Sequence, residues 1–300
     1  LLRTKNESRL LLCGGSLSTR VLISSALAKK ENRPILIIVP TLEEATRWFS
    51  VLELLGWNKV LLYPTSENSP YESYENSQEI TWGQLQVLSE LNNEENNLDL
   101  AIVATERCLQ PHLPDPNYFN KNCLRLSKKI ELDIDQISKQ ITELGYNRVQ
   151  TIQSEGEWSR RGDIVDIYPV SNELPVRLEF FGDNLEKLKE FDPITQRSLD
   201  SIKEISLTPT SFNPLIASIL RNDLPEGIDK ILGEESFNNL LEGGTPIGLQ
   251  RLLGKAWKKP SSLIDYISIN TCIVVDEKKQ GIAHGRAWYE HVNENYIEVS

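Results

Sequence analysis

The stretch "LLLCGGSLSTRVLISSALAKKENRPILIIVP", residues 10–40, decides the fold class of this chain. A short apolar run (Leu10–Cys13) leads through a glycine-bearing turn into a helical pattern over Ser18–Lys30. A second apolar run follows at Ile35–Val39. The rhythm continues to about Thr105. Leu42–Leu55 and Gln78–Leu91 carry apolar residues at three- and four-residue spacing, and Val60–Tyr63 and Leu98–Ala104 read as strands. Strands that are apolar throughout, separated by helices, predict an α/β domain whose parallel sheet is covered on both faces.

Composition narrows the function classes. With 43 acidic and 32 basic residues among 300, the chain repels a phosphate backbone, which points to a protein partner rather than bare nucleic acid. Cys13, Cys108, Cys123 and Cys272 show no paired spacing, and His112, His284 and His291 approach none of them at metal-ligand spacing. No metal site is expected, and the thiols read as reduced, in a cytoplasmic protein. No apolar run approaches the roughly 20 residues of a membrane span, so no membrane partner is expected. The chain opens on Leu1 and lacks methionine, which reads as a piece of something longer.

The opening turn invites a test for phosphate binding. A G-x-x-x-x-G-K-[ST] loop needs glycines for close backbone approach, a lysine for the β/γ oxygens and a hydroxyl for magnesium. Laid from Gly14, that spacing puts Thr19 at the second glycine, Arg20 at the lysine and Val21 at the hydroxyl. All three requirements fail, so no nucleotide cofactor and no catalytic residue are expected. Asp276 and Glu277, ending the apolar run "CIVV" (272–275), stand where a nucleotide hydrolase presents magnesium-handling carboxylates. Without a phosphate loop they have nothing to act on.

Around "PHLPDPNYFNKN" (111–122) the rhythm breaks, and a boundary near 122 follows. Ile134, Ile137, Ile141 and Leu144 form one face of a helix capped by Asp133 and stopped at Gly145. Strand candidates then follow at Val149–Ile152, Ile164–Val170, Val176–Phe181 and Ile202–Leu207, a small α+β unit. Within Val176–Phe181 the two-residue period turns Val176, Leu178 and Phe180 to the core and Arg177, Glu179 and Phe181 outward. An antiparallel register about the 171–174 turn puts Asp166 on that outer face. Arg161, read as the start of the first strand, comes near Phe181. An aromatic ring among arginines on a sheet surface has the composition of an interface hot spot. The alternative is that a helix such as Leu185–Lys189 covers the ring and that the arginines sit in ordinary surface ion pairs.

"RGDIVDIYPVSNELPVRLEFFGDNLEKLKEFDPITQRSL" (161–199) resembles the domain shared by the excision-repair helicase UvrB and the transcription-repair coupling factors, through which both contact UvrA. "PSSLIDYISINTCIVVDE" (260–277) resembles the segment leading into helicase motif II of UvrB. The ruined phosphate loop and the short "YPTSENSPYESYENSQE" (63–79), which leaves little room for UvrB's DNA-gripping hairpin, favour the amino-terminal module of the coupling factors. The resemblance implies a degenerate RecA-like domain over 1–122 and 209–234, an inserted UvrA-binding α+β domain over 123–208, and a truncated second UvrB-like subdomain, a mixed α/β remnant, over 235–300. It implies that Arg161, Arg177 and Phe181 contact UvrA, that Asp276 and Glu277 are relics of motif II, and that RNA polymerase and DNA are engaged by downstream domains. The rival implication is a divergent UvrB-like ATP-dependent DNA-repair helicase.

Overall fold

The computed structural model describes residues 10–66, 78–92, 99–128, 133–246 and 248–299. The tract 67–77, on which the short-hairpin expectation rests, lies outside them. The first sheet is parallel. Its strands are β1 (Ile35–Val39), β2 (Lys59–Tyr63), β3 (Leu100–Thr105) and β12 (Cys272–Val275), in the order β12-β1-β3-β2.

Both faces of this sheet are covered, as near-continuous apolar strands require. Ile35, Ile37 and Val39 of β1 pack with Trp48 and Leu52 of α2 (Leu42–Glu53) and Val21 and Ala28 of α1 (Leu17–Lys30). Leu36 and Ile38 face the other core, with Leu85 and Leu88 of α3 (Gln78–Leu91), Phe119 of α4 (Pro116–Lys121) and Ile216 and Leu220 of α6 (Asn213–Asn222). Later turns from the same stretch, α7 (Ile228–Leu232), α8 (Glu234–Leu241) and α9 (Leu253–Ala256), extend that second layer. Helix α10 (Lys278–Val299) follows β12.

Two expectations about this sheet are corrected. Leu10–Cys13 forms no strand: Leu10 and Leu11 are exposed and the run pairs with no ladder, because an apolar run becomes a strand only where an edge accepts it in register. Cys272–Val275, placed by the sequence division in a separate terminal subdomain, pairs with Ile35–Ile38 as the edge of the first sheet.

The chain leaves this layer and returns to it through one antiparallel pair. In β4 (Leu124–Ser127) and β11 (Glu204–Leu207), Leu124 stands opposite Leu207 and Leu126 opposite Ile205. Between them lies a second sheet, in the order β10-β9-β8-β7-β6-β5. Its strands are β5 (Asn147–Arg148), β6 (Glu157–Arg161), β7 (Ile164–Ile167), β8 (Val176–Phe181), β9 (Asn184–Phe191) and β10 (Ser198–Ser201). The expected strand at 149–152 is replaced by the shorter β5 just before it.

Helix α5 (Ile134–Glu143) covers one face of the second sheet. The Asp133 side chain caps it by accepting from the Asp135 N–H, and Ile137 and Ile141 bury against Trp158, Val165, Val176, Leu178 and Leu188. Just past α5, Gly145 adopts φ +92°, and a Cβ there would meet Thr210 Oγ1 at 2.5 Å. Glycine is required by conformation and by space, since this is where the second unit closes on the chain leading into α6.

Candidate functional site

Two clusters gather the residues singled out by sequence. The first lies at the carboxyl end of β12. Gly14 and Gly15 both take positive φ, and Ser16 caps α1, its side chain accepting from the Thr19 N–H. Val21 points into the core and is fully buried. Arg20, one position earlier, turns the other way and reaches across to β12. Its Nη2 lies 3.2 Å from Asp276 Oδ2 and its Nη1 3.1 Å from Glu277 Oε1. Trp48 Nε1 donates to the same Asp276 oxygen at 2.9 Å. The Arg20 guanidinium is therefore held by the carboxylates of both Asp276 and Glu277, an ion cluster that joins α1, α2 and the end of β12. Among the described residues no group of three or more His, Cys, Asp or Glu side chains could hold a metal ion.

The second cluster is the outer face of β6, β7 and β8, the side of the sheet away from α5. Its geometry follows from register. Asp166 stands opposite Arg177, and Ile164 opposite Glu179. On β9, Lys189 is opposite Arg177 and Lys187 opposite Glu179. Side chains directly opposite share a face, so these charges meet in pairs. Arg177 donates from Nε to Asp166 Oδ1 at 2.7 Å and from Nη2 to Oδ2 at 2.9 Å, a bidentate fork on a carboxylate that is only 4% exposed. Its guanidinium also lies 4.7 Å from the centre of the Phe191 ring, a cation–π contact. The hydrogen bond that Arg177 donates to Asp166, reinforced by charge, raises the Arg177 pKa.

Glu179 accepts from Lys189 at 2.9 Å and faces Lys187 at 3.4 Å. The Lys189 hydrogen bond, with help from Lys187, lowers its pKa against the opposing pull of desolvation. A carboxylate whose folded pKa lies below its unfolded value adds stability that is complete above the ordinary carboxylate range and lost as pH falls through the folded value. The Glu179→Gln variant is therefore expected to lose thermal midpoint less steeply than the wild type between about pH 5 and pH 3. Parallel midpoint–pH curves would contradict that linkage.

Arg161 does not begin the Ile164 strand, as the sequence reading had it. It ends β6, and Gly162–Asp163 form the turn into β7. Its neighbour Arg160 faces α5 and pairs with Asp135, whereas Arg161 is exposed on the outer side. Among the described residues its bonds go to neutral oxygens, from Nη2 to the Gln150 carbonyl at 3.1 Å and to Thr151 Oγ1 at 3.0 Å.

Phe181 is the outermost residue of the cluster. The alternation along β8 holds to its end, with Val176, Leu178 and Phe180 buried and Phe181 75% exposed. Among the described residues no helix shields it. Leu185–Lys189, the segment considered as a cover, is part of β9, the hairpin partner of β8. Arg161, Arg177 and Phe181, singled out by sequence, thus lie on one face, and sequence reasoning missed Phe191 as the platform under Arg177.

A family model for the UvrB interaction domain matches residues 124–212, which are the β4-to-β11 excursion and a few residues beyond it. The chain is similar over 286 residues, at 32% identity, to the transcription-repair-coupling factor of Bacillus subtilis. It is 28% identical over 277 residues to that of Haemophilus influenzae, and 26% over 275 residues to that of Escherichia coli. These matches take in 89%, 91% and 89% of the chain. They take in 24%, 24% and 23% of the relatives, so the chain spans about a quarter of the length of the curated relatives it matches.

Proposed function

We propose that this chain is a non-catalytic adaptor, the amino-terminal UvrB-like module of a transcription-repair coupling factor. It binds UvrA and so brings nucleotide excision repair to RNA polymerase stalled at a DNA lesion. The match of residues 124–212 to the UvrB interaction domain supports a UvrA-type partner. In this reading the opening parallel sheet is a degenerate RecA-like domain, and polymerase and DNA are engaged by polypeptide beyond this module.

One observation carries the reading: Phe181, a large aromatic ring, is three-quarters exposed at the rim of a sheet face on which Arg177 and Glu179 are already ion-paired. A monomer gains nothing by wetting such a ring, whereas buried aromatic and arginine residues dominate binding energy at protein interfaces. Phe181 fills a pocket on UvrA. Arg161, bonded within its own chain to neutral oxygens, offers its charge to a carboxylate there, and Arg177 supplies a second cation held in place by Asp166.

The absence of catalysis rests on different residues. A phosphate loop works through a lysine free to reach the β/γ oxygens. Here Arg20 is committed to Asp276 and Glu277, and the magnesium-ligating hydroxyl is replaced by buried Val21. Titration calorimetry with UvrA and, separately, with Mg-ATP tests both halves. Saturable heat with UvrA and none with Mg-ATP is expected. Micromolar binding of Mg-ATP would favour a divergent UvrB-like helicase, and absence of UvrA binding would remove the adaptor.

A further inference from the structure

The register of β7 on β8 pairs residues whose numbers sum to 343, as in Ile164 with Glu179, and the Phe180 N–H continues it by donating to the Asp163 carbonyl at 2.9 Å. Phe181 is the next residue of β8, level with the Gly162–Asp163 turn and diagonal to Ile164, the partner of Glu179. Glycine there has no side chain, and a Cβ built on it would find no atom within 4 Å. The ring therefore has open space beside it. Its diagonal neighbour on the same face is Ile164, at a separation that an aromatic side chain spans.

Ile164 is 39% exposed, although it is β-branched and apolar and sits in a strand whose next three residues are buried. Single exposed apolar residues are normal. Two on one face, flanking a glycine and bordered by Arg161 on the adjacent strand, make a notch with an apolar floor and one cationic wall. The remaining charges of this face, Arg177, Glu179, Lys187 and Lys189, are matched among themselves and with Asp166. Complementarity therefore asks the visitor for an apolar side chain with a carboxylate beside it.

We propose that Ile164 is a second apolar anchor of this face, forming with Phe181 a notch over Gly162 that takes an apolar side chain from UvrA next to a carboxylate that meets Arg161. The inference rests on the reading of the preceding section and extends it to a residue and a pocket chemistry.

The test measures UvrA affinity and thermal midpoint for the 300-residue chain and for its Ile164→Ala, Ile164→Asp and Phe181→Ala variants. Ile164→Ala is expected to weaken binding about tenfold and Ile164→Asp more than about a hundredfold, because a charge would then enter an apolar contact. The midpoint of the alanine variant should stay within about 2 °C of wild type, which separates loss of contact from loss of fold. Wild-type affinity for both Ile164 variants together with lost binding by Phe181→Ala would overturn the role of Ile164 and leave the UvrA-binding face standing. Wild-type affinity for Phe181→Ala would remove the face itself, and the notch with it.

Discussion

Replacing Phe181 with alanine is expected to reduce UvrA affinity by about 2–4 kcal/mol, roughly 30- to 1000-fold in Kd, with the fold left intact. The reasoning is local. Phe181 ends β8 beyond the last buried position, Phe180, and its ring is three-quarters exposed, so truncation opens no cavity in the domain. Surface substitutions of that kind stay within about 0.5 kcal/mol of neutral in stability. At an interface the same ring is buried, and its loss removes both its apolar area and the shape it imposes. Affinity and unfolding free energy measured on one preparation give the answer. A variant that binds UvrA like the wild type would mean that the exposed ring is incidental, and a variant that unfolds would mean that the ring packs in a way its exposure does not suggest.

Legibility in sequence followed the range of the interactions. Strands β1, β8 and β12 and helix α3 match their expected spans because each is set by its own period and flanking turn residues. The outward side of β8 was readable for the same reason, since alternation along one strand needs no knowledge of its partners. The reading of Leu185–Lys189 as helical failed for a definable cause. In β9 the buried residues are Leu185, Leu188 and Phe191, a three-residue spacing that mimics a helix. It arises because a bulge shifts the register between Glu179 and Phe180, returning Leu185 to the core side. Phe191 keeps the outer parity of Lys189 and is buried there with Ile152 and Tyr168.

Long-range pairings were out of reach for another reason. Cys272–Val275 reads as a strand, but nothing local says that it lies beside β1, more than 230 residues away. Nor does anything local say that the start of α1 and the acidic pair at the strand end would bond each other through Arg20. Only the sheet order brings them together, with the cation and the carboxylates as mutual partners.

The Arg177→Ala variant is expected to cost about 2–4 kcal/mol of folding stability, a different signature from Phe181→Ala. Asp166 is nearly inaccessible, and both of its carboxylate oxygens are taken by the Arg177 fork. Truncating the arginine leaves that carboxylate in the sheet without its counter-charge, and the penalty is the desolvation no longer offset rather than the worth of one bond. The guanidinium keeps some exposure, which places the cost below that of a wholly buried pair. Arg177→Lys retains the charge and loses the planar fork, so it should fall between wild type and alanine. In the Asp166→Ala, Arg177→Ala double variant the orphaned charge is gone, and the loss should be smaller than the sum of the two single losses. Urea unfolding of the wild type, Asp166→Ala, Arg177→Ala and the double variant measures this coupling, and additive losses would show that the two side chains do not act as a unit. If UvrA binding falls along with stability at Arg177 but falls alone at Arg161, then Arg177 serves the interface by fixing the strand pair that carries it, while Arg161 is the cation that meets the partner.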